Sequence, residues 1–182
     1  GVAEEGVSAF PREVTPQMIL NFLRGGAAVN VLAKHVGARV IVVDMGVDHD
    51  FEPREGLEIR KIGRGTRNMT KGPAMTRDEA ERAILTGIEL VEKYKDGLDL
   101  LGTGDMGIGN TTPSSAILSV ITGADPGTVT GRGTGIDDHS LQHKIVIIKK
   151  AISVNNPDTR DALDVVAKVG GFEIAGIAGL VL

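Results

Sequence analysis

No cysteine occurs in the 182 residues, which excludes disulfides, thiolate metal sites and a cysteine nucleophile. Aromatic residues make up 3% of the chain, with no tryptophan and one tyrosine, and the formal net charge is −4. That leaves neither the basic footprint nor the stacking groups of a nucleic-acid binder. No apolar run reaches the roughly 18 residues a membrane-spanning helix requires. The first residues are acidic and polar, unlike a signal peptide, so the reading is a cytoplasmic protein with no membrane partner. The four histidines show no repeated ligand spacing, and the residues present call for no metal and no cofactor. What is plentiful is glycine, 25 residues of it, set mostly at the ends of apolar runs. That placement suits an α/β protein with working loops.

The most informative stretch is Gly102-Thr-Gly-Asp-Met-Gly-Ile-Gly-Asn-Thr-Thr-Pro113. Ahead of it, Leu98-Asp-Leu-Leu101 reads as a buried strand. Behind it, Ser114–Thr122 reads as a helix closed by Gly123, with Thr112 as its cap and Pro113 at its first position. Gly104, Gly107 and their neighbours let backbone come close to a ligand. Free amides and the positive end of the following helix then offer a site for an anion, phosphate above all. Asp105 is the one acid in the loop.

In chain order, Thr15 and Pro16 signal the start of a helix running to about Val36, with Met18, Phe22, Val29, Leu32 and Val36 among its apolar positions. Gly25-Gly26 in its middle suggests close packing or a kink. Phe10 and Met18 read as core. Arg39–Asp44 is nearly continuous and β-branched, as strands covered on both faces are. The acidic turn after it, with His49, reads as solvated. Leu57–Ile62 alternates like an edge strand, and a basic loop with Arg64, Arg67 and Lys71 follows, either solvated or turned to an anionic ligand or partner subunit. Thr76-Arg-Asp-Glu79 is a capping box opening a helix to about Lys95. Strand and helix alternation predicts a Rossmann-like three-layer α/β domain with a mostly parallel sheet. Ligands of such sheets bind at the carboxyl ends of strands, so Asp44, the basic loop and Gly102–Thr112 are expected to share one crevice.

Farther on, Gly123–Gly127 is a turn, and Thr128–Gly135 is glycine-rich with room for a short strand at Thr128–Thr130. Asp137 or Asp138 caps a helix through Ile152, carrying Lys144 in its second turn as a candidate phosphate counter-ion or a solvated lysine. His35, His139 and His143 read as surface or packing residues. Another helix starts at Asp158 or Thr159 and stops at Gly170-Gly171. The run Phe172–Leu182 favours a buried helix over a strand. Neither terminus carries a cap or start signal, so residues 1–182 read as a single α/β domain truncated at both ends.

Gly1-Val-Ala-Glu-Glu-Gly-Val7, the glycine loop 102–113, Lys71-Gly-Pro-Ala-Met75, and Asn155-Asn-Pro-Asp-Thr-Arg-Asp161 running into Lys168-Val-Gly-Gly-Phe172 together resemble the nicotinate-nucleotide–dimethylbenzimidazole phosphoribosyltransferase family, over essentially the whole chain. The resemblance implies transfer of phosphoribose from nicotinate mononucleotide to 5,6-dimethylbenzimidazole in cobalamin lower-ligand synthesis, giving α-ribazole 5′-phosphate and nicotinate. It also implies a Rossmann-like large domain, a small helical domain that 1–182 lacks, and a homodimer. By the same resemblance, Phe10 and Met18 line the aromatic base pocket, and Met106 lies against the base. Gly107, Asn110, Thr111 and Thr112 fall near the ribose phosphate, Lys144 matches a lysine that binds that phosphate, and Gly104 is a further substrate-binding position. Asp105 stands as the candidate catalytic carboxylate where the family usually has a glutamate, one methylene longer. The family's main general base is expected beyond Leu182.

Two other readings are open. Gly102-x-Gly104-x-x-Gly107 formally fits the fingerprint of an NAD-binding oxidoreductase domain, although no strand ending in Asp or Glu follows about 20 residues on. A non-catalytic nucleotide-binding module would keep the phosphate cradle alone.

Overall fold

The computed structural model describes residues 1–182 as eight helices and a two-stranded parallel sheet, a mixed α/β fold. A short 3-10 turn, Val2–Glu5, comes first. The helix predicted from Pro16 to Val36 is two helices, α1 (Val14–Leu23) and α2 (Ala28–His35). The break falls at Gly25, whose φ of +76° no β-carbon tolerates well. Asn30 spans the break: its Oδ1 accepts from the Ala27 amide at 3.2 Å and its Nδ2 donates to the Phe22 carbonyl at 3.0 Å. Because the axis turns there, α2 buries none of its residues, and Val29, Leu32 and Val36 are exposed rather than inward. Nor does Thr15 cap α1, which starts after Glu13.

Strand β1 (Val42–Asp44) pairs in parallel with β2 (Leu57–Ile59), Val42 opposite Leu57 and Asp44 opposite Ile59. Strand β1 starts three residues later than its apolar run and β2 ends three residues earlier, although Arg60 N still donates to the Asp44 carbonyl and Ile62 N to the Met45 carbonyl, both at 2.9 Å. The buried strand expected at Leu98–Leu101 is absent. A strand needs a neighbour for its amides, none is hydrogen-bonded there, and Leu100 is 89% exposed.

Helix α3 (Arg77–Tyr94) opens on the predicted capping box, with Glu79 N donating to Thr76 Oγ1 at 3.1 Å and Thr76 N to Glu79 Oε2 at 2.7 Å. Its small-residue face, Ala80, Ala83 and Gly87, packs on α8 (Phe172–Val181), so the final apolar run is a helix. Helix α4 spans Thr111–Thr122 and ends at Gly123 in the left-handed region, φ +71°. It starts two residues earlier than predicted. Asn110, not Thr112, precedes it, and Pro113 takes the third position, still within the turn where proline costs no hydrogen bond. In place of a strand at Thr128–Thr130, the short helix α5 (Pro126–Val129) forms, capped by Asp125. Helix α6 (Asp138–Asn155) is capped by Asp137 and runs past Ile152 to a left-handed Asn156. Helix α7 (Ala162–Val169) begins at its Asp161 cap, later than predicted.

The core divides in two. One part joins Val2, Val7 and Met69 to Ala116 and Val120 of α4, Ile147, Ile148 and Ala151 of α6, and Val165 of α7. The other sets Met45, just after β1, against Met75, Ala80, Ala83, Phe172 and Ala175. Helix α4 belongs to the first and α8 to the second, and their amino ends meet at the site described next.

Candidate functional site

Lys144, in the second turn of α6, is 1% exposed and is the largest side chain buried to that degree. Its ammonium makes no ion pair. It donates to Thr111 Oγ1 at 2.6 Å and to the Gly131 carbonyl at 3.3 Å, both neutral oxygens. Burial pushes its pKa below the usual lysine value. An ammonium taken from water without an anion is a costly arrangement, and here it lies directly against the first residue of α4. Gly133 closes over the pair: a β-carbon added there would sit 2.9 Å from Thr111 Oγ1 and 3.4 Å from Lys144 Nζ. Its φ of +55° excludes most other residues in any case.

The loop before α4 supplies the complementary donors. Asn110 N bonds to Gly107 O and Thr112 N to Gly109 O, both at 3.0 Å, while the amides of residues 102–107, 109 and 111 donate to no other protein atom. Those of Gly107, Gly109 and Thr111 lie around the positive end of α4. Gly109 adopts φ +91°, a left-handed dihedral that disfavours any side chain, and it lies in van der Waals range of Ala3. The Ile108 amide donates to Thr15 Oγ1 at 3.2 Å, which ties the loop to α1. Thr15 is thus spent on the loop rather than on capping.

Two carboxylates border this cradle. Asp105 stands on the exposed part of the loop, and partial desolvation raises its pKa. Glu173, in the first turn of α8, accepts a hydrogen bond from Asn110 Nδ2 at 2.7 Å. Burial raises the Glu173 pKa, and the nearby charge of Asp105 adds to the rise against the opposing hydrogen bonds.

The predicted site residues divide accordingly. Thr111 and Lys144 are in contact, and Asn110 adjoins Thr111. Met18 is half-buried on α1, one turn from Thr15 on the same face, and Met106 is half-buried in the loop. Gly104 has open space where a β-carbon would stand, and so has Gly107. Phe10 is 50% exposed in the turn before α1, not core, and no hydrogen bond ties it to the loop. Thr112 is fully buried, and its Oγ1 has no partner, so its hydroxyl does not face the cradle's open side.

The crevice expected to include Asp44 and the basic loop does not form that way. Asp44 is fully buried and committed to its own turn, with Oδ1 accepting from the Gly46 and Val47 amides and Oδ2 lying 2.8 Å from Lys61 Nζ. Arg64 pairs with Asp50 and Asp48, Arg67 with Glu79, and Lys71 with Glu4. These cations face carboxylates of the same chain. The dinucleotide fingerprint at Gly102–Gly107 also lacks the strand that should feed it. No group of three or more His, Asp or Glu side chains converges as a metal site, and no helix is long and apolar enough to cross a membrane.

Glu173, Gly133 and Thr15 escape the sequence reading. Thr15 carries a cap signature that masks its role, and Gly133 is one of several glycines in its segment. The only signal at Glu173 is an acid in a first helical turn, which is common everywhere.

Known proteins resemble this chain over its whole length. A family model described as a phosphoribosyltransferase matches residues 1–182. The nicotinate-nucleotide–dimethylbenzimidazole phosphoribosyltransferase of Geotalea uraniireducens (strain Rf4) is 65% identical over 183 aligned residues, covering 100% of this chain and 52% of the relative. Its namesake from Geobacter sulfurreducens is 61% identical with the same coverage. The crystal structure of CobT from Thermus thermophilus superposes with a TM-score of 0.94 at 46% identity, over 99% of this chain and 54% of that one. The chain therefore spans about half the length of the relatives it matches.

Proposed function

This chain belongs to the phosphoribosyltransferase family, and on that premise we propose that it transfers phosphoribose from nicotinate mononucleotide to 5,6-dimethylbenzimidazole, giving α-ribazole 5′-phosphate and nicotinate. The observation that carries the proposal is Lys144: a buried ammonium with only neutral oxygens for company, set against a helix start whose amides are free. A phosphate monoester supplies the missing negative charge and accepts from both kinds of donor. The names of the relatives support the identity of the nucleotide and of the acceptor.

In this reading one benzimidazole nitrogen attacks the anomeric carbon of the nucleotide. The bond from that carbon to the nicotinate nitrogen breaks, its electron pair stays with nicotinate, and the configuration inverts. The other benzimidazole nitrogen loses its proton. Asp105 is the carboxylate on the open side of the loop, and its raised pKa suits a group that takes up such a proton. Met18 and Met106 offer polarizable surface to the flat base. The phosphate is held still by Lys144 and the loop amides, so the anomeric carbon is presented in one orientation. The same reading takes residues 1–182 as one unit of a larger domain, acting as a homodimer in the cytoplasm.

The test is to incubate the protein with both substrates and to analyse the mixture by liquid chromatography and mass spectrometry, with nucleotide affinity measured by calorimetry. Saturable binding of nicotinate mononucleotide and formation of α-ribazole 5′-phosphate are expected. Absence of both would remove the proposal.

A further inference from the structure

We propose that Glu173 is a positioning residue of the nucleotide site, acting through Asn110 to fix the turn on which helix α4 and its free amides are set. The inference rests on the phosphoribosyl-transfer reading above but concerns a residue which that reading does not use. Glu173 Oε1 takes Asn110 Nδ2 at 2.7 Å across a sequence separation of 63 residues, joining the amino ends of α8 and α4. Asn110 is otherwise fully engaged within α4. Its Oδ1 accepts from Ser114 Oγ at 3.1 Å, its carbonyl accepts from Ser114 N at 3.1 Å and from Ser114 Oγ at 3.0 Å, and its own amide goes to Gly107. The asparagine side chain is therefore a strut, with Glu173 at one end and the helix at the other. The free amides of Gly109 and Thr111 are its two chain neighbours, and Thr111 carries the hydroxyl that Lys144 holds.

Glu173 is itself held rigidly. Phe172, 3% exposed, fills the space that β-carbons at Gly46 and Gly63 would occupy, which anchors the start of α8. The Glu173 carboxylate folds back over that start, onto its own amide, and passes so near Gly171 that a β-carbon there would lie 2.4 Å from Oε1. The fold gains little from this. Glu173 has no cation partner, Asp105 repels it, and burial opposes its charge. A half-buried carboxylate held against a neutral amide, with no cation beside it, is a poor stabiliser. What it achieves is the orientation of Asn110, which a glutamine carbonyl in the same place would achieve as well.

That distinction sets the experiment: calorimetric titration of the protein with nicotinate mononucleotide, beside circular-dichroism melts without nucleotide. Glu173→Ala is expected to weaken binding by about tenfold or more, the scale of one lost charge-assisted hydrogen bond. Glu173→Gln should restore affinity to within about threefold of the parent, since it keeps an acceptor for Asn110 Nδ2. Asn110→Ala in the Glu173→Ala background should weaken binding little further, because the two act as one unit. If Glu173→Ala does not fold, Glu173→Leu, which fills the same space, takes its place. Parent-like binding by Glu173→Ala, failure of glutamine to rescue, or full addition of the two losses would each overturn the inference while leaving the assigned reaction standing. A parent protein that binds no nucleotide would instead overturn the reaction, and this inference with it.

Discussion

Gly87 on α3 lies against the backbone of Gly176 on α8 so closely that a β-carbon on Gly87 would stand 2.1 Å from the Gly176 carbonyl oxygen. Gly179 repeats the arrangement, its β-carbon position 2.0 Å from the Ile84 carbonyl. The two helices are thus joined backbone to backbone. This seam fixes where α8 begins, and with it Phe172 and Glu173.

Gly87→Ala tests the seam. Helix propensity alone favours alanine by about 1 kcal/mol. Neither partner of the clash is a flexible side chain, however, so the helices must separate, and overpacking costs about 1–3 kcal/mol or more. We expect a net loss of stability in urea unfolding, with weaker nucleotide binding as α8 shifts. A variant as stable as the parent would show that the seam is looser than described.

Lys144→Met separates binding from folding. Methionine keeps most of the buried stem and removes the unpaired charge, so stability should hold or rise. Affinity for nicotinate mononucleotide should fall by about tenfold to a hundredfold, the scale of a charge-assisted hydrogen bond. The pH dependence is a second check. The folded-state pKa of Lys144 lies below its unfolded value, so between the two the unfolded chain binds more protons and stability rises with pH. That rise lies below the ordinary lysine value of 10.5 and should be smaller in Lys144→Met. Unchanged affinity would take Lys144 out of the phosphate site.

Thr112→Val addresses a hydroxyl that is fully buried and unpartnered. Valine has nearly the same shape and no polar atom to leave unsatisfied. The variant should match the parent or gain about 1 kcal/mol in urea unfolding, and its nucleotide affinity should be unchanged. Loss of binding would mean that the hydroxyl turns toward the ligand.

Glu173→Gln has a signature on the acid side. Burial raises the folded-state pKa of Glu173 above its reference value of 4.5. Between the two values the folded chain binds more protons, so stability falls as pH rises through that window. The penalty is present above the folded pKa and relieved below it. Removing the titrating group should flatten this part of the stability profile and leave the variant no less stable than the parent at neutral pH. An identical profile would indicate that the carboxylate is better solvated than its surroundings imply.

Much of the local structure was legible from residue order alone. The capping box at Thr76 and Glu79, the cap at Asp137, the β-branched run ending at Asp44 and the glycine-rich turn before α4 are settled by neighbours a few residues away. The family resemblance was legible for the same reason, since it rests on contiguous motifs. What the sequence determined by itself was therefore the local choices of helix, turn and cap, and the chemical types gathered in the 102–113 loop.

Tertiary structure decided what those residues do. Leu98–Leu101 has a strand's composition but finds no partner to pair with, and the face of α2 has a helix's period but turns outward beyond Gly25. Thr15 looks like a cap and instead holds the Ile108 amide. Whether Lys144 is solvated or buried, and whether Glu173 reaches Asn110, depends on contacts 33 and 63 residues apart. No local pattern encodes such distances; they are set by how α4, α6 and α8 pack, and the packing is what places an unpaired cation, free amides and a half-buried carboxylate around one site.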